Sequence, residues 1–267
     1  MNAVESLLGE AAQSRHGERL AFICGEESKS YAQLAREVQA AAAALAALGV
    51  VPGDRVLLLM RDTPEFAAAW LGVVRLGAVA VALNDKLSEA EYRHILADCA
   101  ARLALVEERF ANARPDLSAE LARDGRLALV GSHRAGVPEW RELVARQHAG
   151  PEAFDAAFDA SPDTPAFALY SSGTTGRPKG ILHSHKSILC AGAGLRLLGI
   201  NPSERVFATS RLFFAYGLEH GFLGTLALGA TSILCPDWPD AAAVIATTAR
   251  HKPAVVFSVP TIYRRLL

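Results

Sequence analysis

"YSSGTTGRPKG", residues 170–180, places three glycines, four Ser/Thr hydroxyls and one lysine directly after the apolar run "AFALY" at 166–170. A short apolar run bounded by turn signals predicts a buried strand, and parallel sheets bind ligands at the carboxyl ends of their strands. The glycines let backbone N–H groups turn toward an anion without Cβ obstruction. Ser171, Ser172, Thr174 and Thr175 add hydroxyl donors, and Lys179 adds a compact positive charge. The other lysines, Lys29, Lys86, Lys186 and Lys252, are scattered. This is equipment for a polyphosphate. It is not the P-loop pattern G-x-x-x-x-G-K-[ST], because Pro178 precedes Lys179 and Gly180 follows it. A P-loop GTPase or kinase is therefore disfavoured. A flexible Ser/Gly linker is disfavoured too, since it would not hold Arg-Pro-Lys in register after a buried strand.

Outward from this stretch the pattern alternates between helix and strand. Ser30 and Gln33 form a capping-box pair ahead of "YAQLAREVQAAAAALAALG". There Leu34, Val38, Leu45 and Leu48 share one helical face, and Gly49 supplies the stop. Pro52 and Gly53 turn the chain into the strand "RVLLLM", and Thr63 with Pro64 starts another helix. The longest apolar region, 66–83, carries Arg75 in its middle and glycines at 72 and 77. It predicts helix, turn and buried strand rather than a membrane span. The helix "EAEYRHILADC" and the strands "RLALVEE" and "RLALV" follow. Beyond the polar "ASPDTP" and the quoted loop, 184–198 predicts a helix; "RVFAT", "TSILC" and "AVVFS" predict strands, and "AAAVIATTARH" a helix. Alternation over this length predicts an α/β fold of two doubly wound, mostly parallel sheets flanked by helices.

With 27 Lys and Arg against 28 Asp and Glu, the net charge of −1 gives no reason to expect nucleic acid or an anionic membrane as partner. Cys24, Cys99, Cys190 and Cys235 form no C-x-x-C pair. Four thiols allow two disulfides, but "MNAVESLLGEAAQSRHGERL" lacks the basic start and apolar run of a signal peptide. Buried reduced thiols and a cytoplasmic location are the expectation. No feature of the sequence selects an oligomeric state.

The 170–180 stretch resembles the phosphate-binding signature of the adenylate-forming enzymes: acyl-CoA and aryl-CoA ligases, carrier-protein adenylation domains and luciferases. "SYAQLAREVQAAAAALAALGVVPGDRVLLLMRDTPEF" resembles that family's N-terminal helix, Gly-Asp turn and strand. "LGAVAVALN", "ILHSH" and "FSVPTIYRRLL" are similar at further positions, so the resemblance spans nearly the whole chain. It implies two steps: a carboxylate attacks the α-phosphate of MgATP, and a thiol, usually that of coenzyme A, then displaces AMP. It also implies that Ser171, Ser172, Gly173, Thr174, Thr175, Gly176 and Lys179 hold the ATP phosphates while charge accumulates on the leaving pyrophosphate. Mg2+ would bridge those phosphates. "HSH" at 183–185 invites a metal site, but no Cys or carboxylate cluster joins it. His185 aligns with a family histidine for which packing or loop bracing is as good an account as catalysis.

"RLFFAYGLEHG", residues 211–221, is the second informative stretch. The wider family usually carries Phe-His where this chain has Phe213 and Phe214, which removes a titratable group from that position. Phe-Phe-Ala-Tyr-Gly resembles the benzoate-CoA ligase branch, and implies that Phe214, Ala215, Tyr216 and Gly217 line a pocket for a flat aromatic acid. For Phe213, packing in the core is the alternative. A fatty-acyl-CoA synthetase fragment, or a non-catalytic nucleotide-binding module derived from the family, stays open as the alternative function, as does a carrier protein as acceptor. On this resemblance residues 1–267 are an incomplete N-terminal adenylation domain. Its lobes are expected at 50–200, around the phosphate loop, and at 1–49 plus 201–267, around the acid pocket. The adenine and ribose motifs, the hinge and the C-terminal domain with its catalytic lysine are expected beyond Leu267. No residue here is therefore assigned as catalytic, and the chain alone is expected to be inactive.

Overall fold

The apolar runs of the sequence become the buried strands of two sheets. The structure, a computed structural model, describes residues 1–149, 157–172 and 177–267. Its strands, in chain order, are β1 (Leu20–Cys24), β2 (Glu27–Ser30), β3 (Arg55–Leu59), β4 (Val79–Ala82), β5 (Leu103–Glu107) and β6 (Leu127–Val130). There follow β7 (Pro165–Ser172), β8 (Pro178–Ser184), β9 (Arg205–Ala208), β10 (Thr231–Leu234) and β11 (Val255–Phe257). The chain divides into two units, one of residues 1–2, 36–61 and 68–185, the other of 3–35, 62–67 and 186–267. The division falls inside the helix Tyr31–Ala47, whose capping box is formed: Gln33 N–H donates to Ser30 Oγ at 3.2 Å, and Ser30 N–H donates to Gln33 Oε1 at 2.7 Å.

The first unit holds the six-stranded sheet β6-β5-β3-β4-β7-β8, parallel except for the antiparallel β7–β8 pair. Strands β3, β4, β5 and β6 are almost wholly buried, which is why they read as continuous apolar runs rather than alternating ones. On one face Leu57, Val81 and Leu129 pack with Tyr92, Phe110 and Leu121 from the flanking helices. Trp70, fully buried, meets Phe167 of β7 with ring centroids 5.4 Å apart. Burying side chains of this kind contributes about 1.5–3 kcal/mol each.

The second unit holds the sheet β11-β9-β10-β1-β2, parallel except for the β1–β2 hairpin. From β9 the chain steps to β10 on one side, then crosses back so that β11 lies on the other side of β9. The carboxyl ends of β9 and β11 therefore flank a topological switch point, where such sheets bind ligands.

Two expectations need correction. Residues 178–184 form strand β8, and the helix expected over 184–198 is two short ones, His185–Cys190 and Ala193–Leu197. β8 is an edge strand, mostly exposed and carrying Pro178 and Gly180, so no buried alternation announces it. All four cysteines are free, but only Cys24 is buried and Cys190 is exposed. Among the described residues no helix is long and apolar enough to cross a membrane.

Candidate functional site

The phosphate-loop residues sit on the β7–β8 hairpin of the first unit. Ser171 pairs directly with Lys179 and Ser172 with Pro178. Directly opposed residues of an antiparallel pair share a face, so the Ser171 hydroxyl and the Lys179 ammonium project together, and both are exposed. Lys179 thus belongs to a strand rather than to a loop. Gly173, Thr174, Thr175 and Gly176 lie outside the described residues.

The hairpin is held from beside it by one helix, Glu89–Asp98. His94 and Asp98 lie one turn apart on that helix and so share a face. His94 Nε2–H donates to the Pro178 carbonyl at 3.0 Å, and Asp98 Oδ2 accepts from the Tyr170 hydroxyl at 2.6 Å. The Tyr170 ring lies across its cross-strand partner Gly180, where a Cβ would stand 2.9 Å from the ring carbon Cζ. Any larger residue there would have to displace the ring. Burial, and then the hydrogen bond to Asp98, push the Tyr170 hydroxyl well above its ordinary pKa, so it stays a neutral donor. Further along β8, His183 stacks flat on Phe167, with centroids 4.6 Å apart and planes 2° from parallel, and burial lowers its pKa. His185, fully buried, opens the next helix, and its backbone N–H donates to Thr164 O at 3.0 Å. Burial, and then the N-terminal ammonium, lower its pKa. The two histidines thus have separate packing surroundings.

The aromatic segment occupies the switch point of the second unit. Thr209 N–H donates to Phe257 O at 2.9 Å, and the Thr209 and Ser258 hydroxyls bond each other at 2.7 Å in a buried position. These contacts tie the ends of β9 and β11 together. Arg211 follows, almost fully buried. Its Nη1 donates to Cys235 O at 2.7 Å and Asp237 O at 3.0 Å, and its Nη2 donates to Pro236 O at 2.8 Å. Its Nε stands 3.3 Å from the buried Asp62 Oδ2, an ion pair too poorly aligned for a hydrogen bond, and the same Oδ2 accepts from Leu212 N–H at 3.1 Å. One buried charge pair thus fixes both the start of the segment and the 235–237 turn.

The expected pocket residues divide sharply. Phe213 is buried, with Phe214 at 4.6 Å and Trp238 at 5.9 Å between ring centroids, so it packs in the core. Phe214 and Tyr216 are 41% and 39% exposed, large aromatic surfaces left open to solvent, and Ala215 between them is exposed as well. Gly217 is buried, and a Cβ there would meet the Arg211 and Ser210 carbonyl oxygens at 2.4 and 2.5 Å, so the position demands glycine. Residues 215–217 begin a helix rather than a free turn. Tyr216 meets Phe257 edge-on at 6.0 Å, and His220 lies 4.7 Å from Tyr216 and 4.5 Å from Phe257. Asp62, Arg211, His94 and Asp98 escape a sequence reading because their partners are tertiary. His220 had a local signal: it is four residues after Tyr216 on a helix.

The exposed Ser171–Lys179 pair follows a parallel strand, and the exposed aromatics follow the switch point of the other sheet. The chain belongs to the AMP-binding enzyme family, which it matches over residues 9–267. It is 42% identical to the 3-hydroxybenzoate–CoA/4-hydroxybenzoate–CoA ligase of Thauera aromatica, over 100% of this chain and 51% of that protein. Its fold is similar to a benzoate CoA ligase from Burkholderia xenovorans LB400, with a TM-score of 0.87 and 31% identity over 100% of this chain and 52% of the other. An anthranilate CoA ligase in complex with anthranoyl-AMP gives a TM-score of 0.87 at 30% identity, over 98% of this chain and 50% of the other. The chain spans about half the length of the curated relatives it matches.

Proposed function

We propose that this chain is the N-terminal part of an ATP-dependent aryl-acid–CoA ligase acting on a benzoate-like acid. The acid carboxylate attacks the α-phosphate of ATP, releasing pyrophosphate and leaving an aryl-adenylate. The thiolate of coenzyme A then attacks the acyl carbon and AMP departs. The observation that carries the reading is the open Phe214–Ala215–Tyr216 surface at the switch point, rooted by buried Arg211. The similarity to hydroxybenzoate- and benzoate-CoA ligases along the full chain supports it.

In this scheme Lys179 and Ser171 contact the β- and γ-phosphates, joined by Ser172, Gly173, Thr174, Thr175 and Gly176. Preformed donors aimed at the leaving pyrophosphate stabilise charge where it develops. A hydroxyl and an ammonium suit phosphate oxygens rather than a metal ion, so Mg2+ would be carried by the polyphosphate itself and would offset its charge. Phe214, Ala215, Tyr216 and Gly217 orient the acid. The catalytic lysine is assigned to the remainder of the longer protein. The free cysteines fit a cytoplasmic enzyme.

The test is acid-dependent ATP–pyrophosphate exchange by the full-length protein across benzoates and straight-chain acids. Aryl acids should give the highest kcat/KM. If octanoate or a longer fatty acid outruns every aryl acid, the protein is a fatty-acyl-CoA synthetase instead.

A further inference from the structure

The helix that carries the aromatic wall is not regular. Its first turn, Ala215–Leu218, leads into a π-helical turn, Glu219–Leu223, before the α-helix Gly224–Ala227. Gly224 N–H reaches back to Glu219 O, a bond of the wider i→i+5 kind. A π turn is uncommon, takes carbonyls off the regular pattern and tends to occur at functional sites. Here two hydroxyls compensate: Thr225 Oγ1 donates to His220 O at 2.8 Å, and buried Ser232 Oγ donates to Gly221 O. Gly221 lets the turn rest on the end of β9, since a Cβ there would stand 2.6 Å from Ala208 Cβ. The irregular turn is therefore held in place, and the residue it presents is His220.

The His220 ring has one orientation fixed by its own bond. Nδ1 lies 3.0 Å from the Tyr216 carbonyl, which can only accept, so Nδ1 carries the proton. In the neutral ring Nε2 then bears the lone pair and is an acceptor. The ring is wedged between Tyr216 and Phe257. We propose that His220 is a specificity-determining residue that accepts a hydrogen bond from a ring hydroxyl of the aryl acid. This rests on the reading of Phe214–Gly217 as the acid-binding wall. The substrate class it selects is benzoates bearing a hydroxyl, over benzoates whose ring has no donor. Phe257, which also flanks Tyr216, completes the ring side of that subsite.

The test measures kcat/KM of the full-length ligase for 3- and 4-hydroxybenzoate, the matching methoxybenzoates and benzoate. The protein variants are wild type, His220→Phe and His220→Gln. Phenylalanine keeps a ring between Tyr216 and Phe257 but has no acceptor, and glutamine restores an acceptor without the ring. The wild type should prefer the better hydroxybenzoate over benzoate and over its methoxy analogue. His220→Phe should lower the hydroxybenzoate-to-benzoate ratio by about three- to ten-fold, the worth of one hydrogen bond, and His220→Gln should recover part of that ratio. An unchanged ratio in His220→Phe, with aryl acids still activated, overturns this inference alone. If no aryl acid is activated but a fatty acid is, the wall assignment fails and takes this inference with it.

Discussion

The β7–β8 hairpin and the segment 209–221, proposed above to meet ATP and the acid respectively, are built from opposite materials. The hairpin presents its charge outward: Lys179 and Ser171 are exposed on one face, and hydrogen bonds with His94 and Asp98 of a neighbouring helix hold the strands. The aromatic segment hides its charge: Arg211 and Asp62 are buried, and the surface offered to a ligand is ring carbon. A polyphosphate needs donors that meet it directly, so charge stands at the surface. A flat ring needs a rigid apolar wall, and here the charge is spent on holding that wall's backbone.

The largest expected effect breaks the comparison on the side of stability. Arg211→Met removes a buried cation that pairs with Asp62 and donates to three carbonyls, and should destabilise the protein by about 3–5 kcal/mol. Lys179→Met, at an exposed position, should stay within about 0.5 kcal/mol of wild type. Urea denaturation of both variants measures the contrast, and equal losses would mean the two cations play the same part. Replacing the pair together, Asp62→Leu with Arg211→Met, should recover much of the loss.

Activity should show the reverse ranking. Lys179→Ala is expected to slow adenylation by about ten- to hundred-fold, since a charge-assisted contact to phosphate is lost. Thioester formation from preformed aryl-adenylate should change far less. Rapid-quench measurement of the two half-reactions separates these, and equal slowing of both would give Lys179 another role. A smaller effect follows from the brace. Tyr170→Phe keeps the ring over Gly180 but removes the bond to Asp98, which should cost about 0.5–1.5 kcal/mol of stability. Gly180→Ala, read in the same assay, should recover when combined with Tyr170→Ala, because the clash is with that ring.

The smallest effect is on pH. Burial lowers the pKa of both His183 and His185 from 6.5. Below about pH 6.5 the unfolded chain binds protons that the folded histidines resist, so stability rises with pH there and falls on acidification. Thermal unfolding between pH 7.5 and 5.5 should show a falling Tm. His183→Phe, which keeps the stack on Phe167, should flatten that fall, and an unchanged slope would place the proton uptake elsewhere.

The same contrast explains what the sequence made legible. The α/β alternation and the strands β3, β4, β5 and β6 were readable because buried parallel strands are continuous apolar runs. β8 was hidden because it is held by its ladder to β7 and by the Tyr170 ring over Gly180, not by its own pattern. The polar β2 "ESKS", an exposed hairpin partner of β1, escaped for the same reason. Phe214, Ala215, Tyr216 and Gly217 stand out only by resemblance, which says nothing of their surroundings. Nothing local in "RLFFAYG" says that its arginine turns inward to three carbonyls of a segment 24–26 residues away.

The central claim, that the hairpin handles ATP and the aromatic segment handles the acid, is tested most directly by crossing two variants with two substrates. In the full-length protein, KM for ATP and for the preferred aryl acid would be measured in Lys179→Ala and Tyr216→Ala. The account predicts that Tyr216→Ala raises the acid KM and leaves the ATP KM within about two-fold, because only an aromatic contact of about 0.5–1.5 kcal/mol and its burial are lost. Lys179→Ala should raise the ATP KM and spare that of the acid. A Tyr216→Ala enzyme whose ATP KM rises as steeply as its acid KM would contradict the account.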